Sequence, residues 1–230
     1  MNEHWSNQAI VHRFGWFVRA WQSETSTSEL QTHGSKLDQA LANTANAFKH
    51  DRTTTVMRIN LATKDIVLKR YNARTLGHAF SRMLRKTRAR RCWNMSYAFD
   101  DAGLNVATPV LMMEKRFGPL RFNAYFASEL LAGEELLSAL PRMADVEKKL
   151  VVEAVYGAFA KMQKAKITHG DLKASNLIWG QGKLYFIDLD AAQKHRSLVT
   201  WNVGHKKDRR RFRKNWQGNP DLMALFSNLA

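Results

Sequence analysis

The chain has 230 residues, 45% of them hydrophobic and 24% charged, which suits a globular domain, or one domain of two lobes, with a sizeable core. A lone cysteine, Cys92, excludes an intrachain disulfide framework, and no apolar run approaches the roughly 18 residues that a bilayer-spanning helix needs. The formal net charge of +16 calls for an anionic partner, whether nucleic acid, an anionic membrane surface or a phosphorylated substrate.

The N-terminus lacks the basic start and long apolar core of a signal peptide, and the single cysteine fits a reducing compartment, so a cytoplasmic location is expected. Residues 10–21, IVHRFGWFVRAW, are expected to form an amphipathic helix, against a membrane or packed on the domain. Residues 22–36 are Ser/Thr-rich and weakly periodic, which predicts a loop. TTTVMRIN (53–60) and DIVLKRY (65–71) are rich in β-branched residues and predict a hairpin joined at LATK. From Leu76 to Phe99 the pattern turns helical. Within it, residues 82–91, RMLRKTRARR, carry six Lys/Arg and no acid.

A turn and strand follow at 100–117, then a strand and a glycine-bearing connection at 123–136. The clearest helix is 145–166, with Asp145 as its N-cap and an apolar face of Leu150, Val151, Ala154, Val155, Ala158, Phe159 and Met162. The last forty residues are expected to be helical and basic. Residues 194–214 hold nine Lys/Arg and one acid, Asp208.

Between these helices lies HGDLKASNLIWGQGKLYFIDLD, residues 169–190. Phosphoryl transfer needs positioning, charge neutralisation and metal ions more than covalent help from the protein. Asp171 and Asn176 stand five residues apart, as do the base and a metal-binding asparagine in a kinase loop. Asp188 follows twelve residues later, after an apolar run. A strand at 177–179, a tight turn at 180–182 and a return strand at 184–187 would bring Asp188 back beside Asn176. Each residue alone has a bland reading as a turn or strand-end residue; the order and spacing together are specific. His169 is expected to pack and hold the loop. Lys173 would reach the transferred phosphate. Upstream, IVLK supplies Lys69 at a strand end, where a kinase lysine grips nucleotide phosphates. Backbone groups in YFASELLAG, Glu129 and Leu131 among them, would hydrogen-bond adenine.

In IVLKRYN, TRARRCWNMSYAFDDAGLNVATPV, YFASELLAGEEL, HGDLKASNLI and LYFIDLDAA, the chain resembles the lipopolysaccharide core kinase family, the Kdo and heptose kinases, over roughly residues 46–215. The resemblance implies an α+β, two-lobed, protein-kinase-like fold. Residues 46–130 would form the β-rich N-lobe and 131–230 a reduced, mainly helical C-lobe, after an N-terminal extension at 1–45. It implies ATP and Mg²⁺ as cofactors, with Lys69 on ATP, Asp171 and Lys173 at the chemistry, and Asn176 and Asp188 on the metal. It implies a sugar acceptor in the inner core at the cytoplasmic face of the inner membrane, with lipopolysaccharide core or a lipid A-linked glycan as substrate and no nucleic acid.

The sequence departs from ordinary protein kinases in three places. No glycine occurs in KHDRTTT (49–55), where a phosphate loop is expected. No acid lies between Tyr71 and Phe99 to pair with Lys69, leaving Asp188 or Glu114 as candidates. Only forty residues follow Asp190, without Ala-Pro-Glu, which favours a small or glycan acceptor. Two other readings stay open: a small-molecule or protein kinase of related fold, and an inactive basic kinase-like module that binds anionic lipid or nucleic acid.

Overall fold

A computed structural model describes residues 5–11, 16–23, 47–50, 54–60, 64–72, 86–117 and 120–229. The chain forms two units, Met1–Trp93 with Thr108–Leu130, and Asn94–Ala107 with Leu131–Ala230.

The first unit is built on an antiparallel sheet. Its strands are β1 (Trp5–Val11), β2 (Trp16–Ser23), β3 (Ala47–His50), β4 (Thr54–Asn60), β5 (Asp65–Tyr71), β7 (Pro109–Phe117) and β8 (Leu120–Glu129), in the order β1-β2-β7-β8-β5-β4-β3. The β4–β5 hairpin forms as the alternation predicts, with Thr54 opposite Tyr71 and Asn60 opposite Asp65. Residues 10–21 lie largely in β1 and β2 rather than in a helix. The physical reason is composition: Trp16, Phe17, Val18 and Trp21 are strong strand formers, and β2 finds a partner in β7 from Trp16↔Phe117 to Gln22↔Leu111.

Alternate residues of β5 turn Ile66 and Leu68 into a core with Met57, Val110, Leu111, Met113, Tyr125 and Ala127. Lys69 therefore stands on the opposite face of β5, half-buried. Glu114, one of the two acids considered for Lys69, is fully buried. It accepts from the Arg116 guanidinium and from Thr87 Oγ1 at 2.6 Å. A buried carboxylate needs such donors on both oxygens.

Helix α1 (Arg88–Asp101) covers the later part of the stretch that the periodicity reads as helical; residues 76–85 lie outside the described residues. Where an acid was sought for Lys69, this helix carries Cys92. Its thiol is buried and 3.2 Å from the Tyr71 hydroxyl. Residues 94–101 of α1 belong to the second unit, where Met95 and Phe99 join the core.

The second unit continues with β6 (Asn105–Val106), β9 (Glu134–Glu135), α2 (Leu136–Ala139) and α3 (Asp145–Ala165). Then come β10 (Ile167–Thr168), β11 (Leu177–Gly180), β12 (Lys183–Phe186), β13 (Gln193–Lys194), α4 (Leu198–Lys214) and α5 (Pro220–Leu225). β11 and β12 form an antiparallel hairpin, flanked by β9 and by the parallel β6. The turn is shorter than the glycine pattern suggests. Gln181 and Gly182 alone make it, with φ of 53° and 70°, as a two-residue turn with both centres left-handed requires.

Helix α3 buries Val151, Val155, Ala158, Phe159 and Met162, a stripe at 3.6-residue spacing. Leu150 sits off that stripe and is exposed. Asp145 is the first helical residue; Ala144 is the N-cap and offers no side-chain bond. Its carboxylate instead favours the positive end of the helix dipole.

Candidate active site

Helix α3 ends at Lys166, whose left-handed φ of 53° turns the chain into β10. The loop after β10 is held from beneath by α4. Gly204 makes this possible: a Cβ there would lie 2.9 Å from Thr168 Cγ2, so glycine lets the helix approach β10 closely. One turn further on, Asp208 is fully buried. Its carboxylate accepts the His169 N–H at 2.7 Å and the Gly170 N–H at 2.9 and 3.2 Å. Burial pushes the Asp208 carboxyl above its ordinary value, and the N–H groups of Gly170 and His169 pull the other way. Gly170 has a φ of 82°, and a Cβ there would sit 2.5 Å from the Ala191 carbonyl oxygen, so only glycine fits.

His169 is buried and links the loop to the strand beyond it. Its Nε2 lies 2.9 Å from the Ile187 carbonyl oxygen, and its Nδ1 accepts the Asp171 N–H at 3.3 Å. That pattern makes Nε2 the donor in a neutral ring. Phe99 meets the imidazole edge-on, with centroids 6.4 Å apart. The residue spends both nitrogens on backbone groups, as expected of one that holds the loop.

The loop then closes on itself. The Asn176 amide donates to the Asp171 carbonyl oxygen at 2.8 Å, and the Asn176 N–H donates to Lys173 at 2.9 Å. The Ile187 N–H donates to the Asn176 carbonyl oxygen at 3.0 Å, which sets Asp188 next to the asparagine at the end of the hairpin. Asp188 has a φ of 62°, a left-handed conformation that aspartate tolerates better than most residues. Non-glycine residues held there concentrate at functional positions. Asp190, close behind, is buried.

The Asp171 carboxylate is flanked by two cations. Lys173 Nζ lies 3.1 Å from Oδ2, and the Arg211 guanidinium from α4 pairs with Oδ1 while donating to the Gly170 carbonyl oxygen at 3.1 Å. The structure thus brings Asp171, Lys173 and Asn176 together and places Asp188 alongside. Lys69 and Glu129 belong to the first unit. Glu129 pairs with Lys64 at 2.8 Å, its N–H is bonded to the Thr108 carbonyl, and the next N–H, of Leu130, goes to Asp65. Leu131 opens the second unit.

Asp208 and Arg211 were not singled out from the sequence as site residues. The one signal was Asp208 itself, a lone acid in a run of nine cations. Three residues apart on one helix, the two share a face.

The same helix carries a group with a pH consequence. His205 is buried, stacked on Trp201 at 4.6 Å and edge-on to Phe159 at 5.6 Å. Burial, and then the charge of Arg209, lower its pKa from 6.5 to about 4. The unfolded chain therefore takes up the proton more readily. This stability is complete above 6.5 and is lost as pH falls from there through about 4. Over that interval the wild type is expected to lose on the order of 2 kcal/mol more stability than His205→Phe. Urea unfolding at a series of pH values checks this, and parallel curves for the two proteins would refute it.

Among the described residues no group of three or more His, Cys, Asp or Glu forms a metal cage. Mg²⁺ in phosphoryl transfer does not need one; it takes one or two protein oxygens, with substrate phosphates and water completing the shell. Asn176 commits its amide nitrogen to the loop, so its side-chain oxygen remains the acceptor end, on a residue whose backbone the Ile187 N–H bond sets next to Asp188. Two hard oxygens in this setting fit Mg²⁺.

Comparison with known proteins bears on the fold and the family. KEOPS complex subunit Bud32 of Pyrococcus abyssi is 37% identical over 71 residues, which is 31% of this chain and 32% of that protein. The chain thus matches about a third of the length of this curated relative. A solved structure of WaaP in complex with acyl carrier protein shares the fold, with a TM-score of 0.64 at 17% identity, over 89% of this chain and 86% of that one. Residues 36–220 match the lipopolysaccharide kinase (Kdo/WaaP) family, and the chain belongs to that family of kinases.

Proposed function

We propose that the protein is an ATP-dependent kinase that phosphorylates a sugar hydroxyl, on heptose or Kdo, of the lipopolysaccharide inner core. The observation that carries this is the loop in which Asp208 seats His169 and Gly170 while Asp171 and Asn176 are tied to each other and to the strand leading to Asp188. In the proposed reaction the acceptor oxygen bonds to the γ-phosphorus and the bond to the β–γ bridging oxygen breaks. ADP leaves, and the hydroxyl proton passes to Asp171. Asn176 and Asp188 would hold Mg²⁺, which neutralises charge on the phosphates. Lys173 would turn from Asp171 towards the transferred group, and Lys69 would bind the α- and β-phosphates. Leu131 would offer a backbone group to adenine; the Glu129 N–H is already committed to Thr108.

The family membership supports the substrate class, and the excess of Lys and Arg suits a phosphorylated, carboxylate-bearing glycan at an anionic membrane. Acyl carrier protein, bound in the WaaP structure, is a candidate protein partner here as well.

The test is phosphate transfer from Mg-ATP to purified core oligosaccharide, wild type beside Asp188→Ala. Incorporation by the wild type and a loss of about a hundredfold or more in the variant is expected, since the metal's charge stabilisation is removed. The mass and linkage of the product then name the sugar. Wild type that binds no Mg-ATP would overturn the reading in favour of an inactive basic module.

A further inference from the structure

The exposed side of α4 is the part of the second unit that the proposed chemistry leaves unused. The helix buries Trp201, His205, Asp208 and Phe212, four positions on one stripe. The opposite stripe begins with two aliphatic residues in water: Val199 is 73% exposed and Val203 68%. Val199 and Val203 are one turn apart, whereas Leu198, also exposed, lies at the helix start on the line of the buried residues. The same stripe continues through Lys206, Lys207, Arg210 and Lys214, all exposed. The helix's only acid, Asp208, is on the buried side and bound to the loop, so it neutralises nothing on this face. An exposed aliphatic pair that runs into four cations on the same stripe gives this face an apolar and a cationic part.

We infer that this face of α4 docks on an anionic lipid bilayer, with Val199 and Val203 entering the headgroup–acyl boundary and Lys206, Lys207, Arg210 and Lys214 lying on the phosphates. The polarity of the face selects the partner. A nucleic acid would satisfy the cations and leave the aliphatic side chains against solvated phosphate. An anionic bilayer offers negative charge and hydrocarbon within a few ångströms of each other, the environment that such helix faces occupy. The inference deepens the membrane part of the proposed function and is separable from its phosphoryl-transfer part. Docking here would hold the second unit at the surface from which a lipid-linked glycan projects, and Arg211, on the same helix, ties that helix to Asp171.

The test uses the full chain with Val203→Cys carrying a polarity-sensitive fluorophore. The native Cys92 is 1% exposed and escapes labelling in the folded protein. The same label at Glu153→Cys, on the exposed side of α3, serves as the control. Vesicles containing phosphatidylglycerol are expected to shift the emission at position 203 to the blue and leave the control unmoved, while pure phosphatidylcholine shifts neither. In vesicle sedimentation, reversing Lys206, Lys207, Arg210 and Lys214 to Glu should weaken binding about tenfold or more. Changing Val199 and Val203 to Ser should weaken it about fivefold or more. Turnover on soluble core oligosaccharide should stay at the wild-type level in both, which separates this face from the chemistry. Sedimentation without a shift at position 203, or serine variants that bind as the wild type does, would overturn the inference. So would a response to purified acyl carrier protein in place of vesicles. Failure of the wild type to phosphorylate any core acceptor would sink the kinase reading alone and leave the vesicle result standing.

Discussion

Asp208→Ala is expected to destabilise the second unit by about 3 kcal/mol and to lower phosphate transfer about a hundredfold, although Asp208 touches no reacting atom. The carboxylate, fully buried, satisfies two backbone N–H groups, of the buried His169 and the half-buried Gly170. Alanine orphans both, and an unmet buried donor costs about 1–3 kcal/mol. Against this, the variant no longer buries a charge whose own burial disfavours it, so the two penalties do not simply add. The loss of activity has a geometric origin. Asp208 sets the start of the loop that carries Asp171, and a misplacement of about 1 Å at reacting groups costs about a hundredfold. Asp208→Asn separates the parts. Its amide keeps one acceptor oxygen and points a donor at the other N–H, so its stability should fall between wild type and alanine. Urea unfolding, with hydrogen exchange of the His169 and Gly170 amides, reads both effects. An alanine variant as stable as the wild type, with those amides still protected, would show that the carboxylate does not seat the loop.

How far such contacts can be read from sequence depends on their range. The β4–β5 hairpin and α3 follow from local periodicity, and both stand where the pattern puts them. Asp171, Asn176 and Asp188 are spaced by one short loop and one hairpin, so the chain itself carries their proximity. Asp208 reaches Gly170 across 38 residues and Arg211 reaches Asp171 across 40, and no spacing rule spans that distance. Their meeting depends on how α4 packs under β10, which rests in turn on Gly204 having no side chain. The misreading of residues 10–21 has a different cause. Aromatic and β-branched residues broken by Arg and His satisfy a helical and a strand pattern equally. The pairing with β7, some ninety residues away, decides between them. The exposure of Leu150 shows the same limit inside a helix read correctly: periodicity gives the stripe, and the packing partner sets its edge.

Asp171→Ala is expected to reduce turnover about a thousandfold while leaving ATP affinity and the fold nearly unchanged. Positioned proton transfer contributes about a hundred- to ten-thousandfold, and Asp171 is the carboxylate that the loop presents. The fold should survive because the side chain's ion pairs lie where water screens them. Asp171 is 30% exposed, Arg211 38% and Lys173 50%, and pairs of this kind contribute about 1 kcal/mol or less. Their importance lies in orientation. A carboxylate has about four lone-pair positions. Lys173 takes one on Oδ2 and Arg211 one on Oδ1, which pins the plane of the group and leaves the remaining positions for an acceptor hydroxyl. Arg211→Gln should therefore cost less than Asp171→Ala, about tenfold in kcat, because the base remains and only its alignment loosens. Lys173→Met should weaken transfer without changing the acceptor's KM greatly, if the lysine serves the transferred phosphate and not the sugar. Initial rates on core oligosaccharide and ATP titrations of the three variants distinguish these roles. A fully active Asp171→Ala protein would remove Asp171 as the base. An Arg211→Gln loss as deep as that of Asp171→Ala would mean that the guanidinium acts on the reacting groups themselves, and the base would then have to be sought with that cation as its partner.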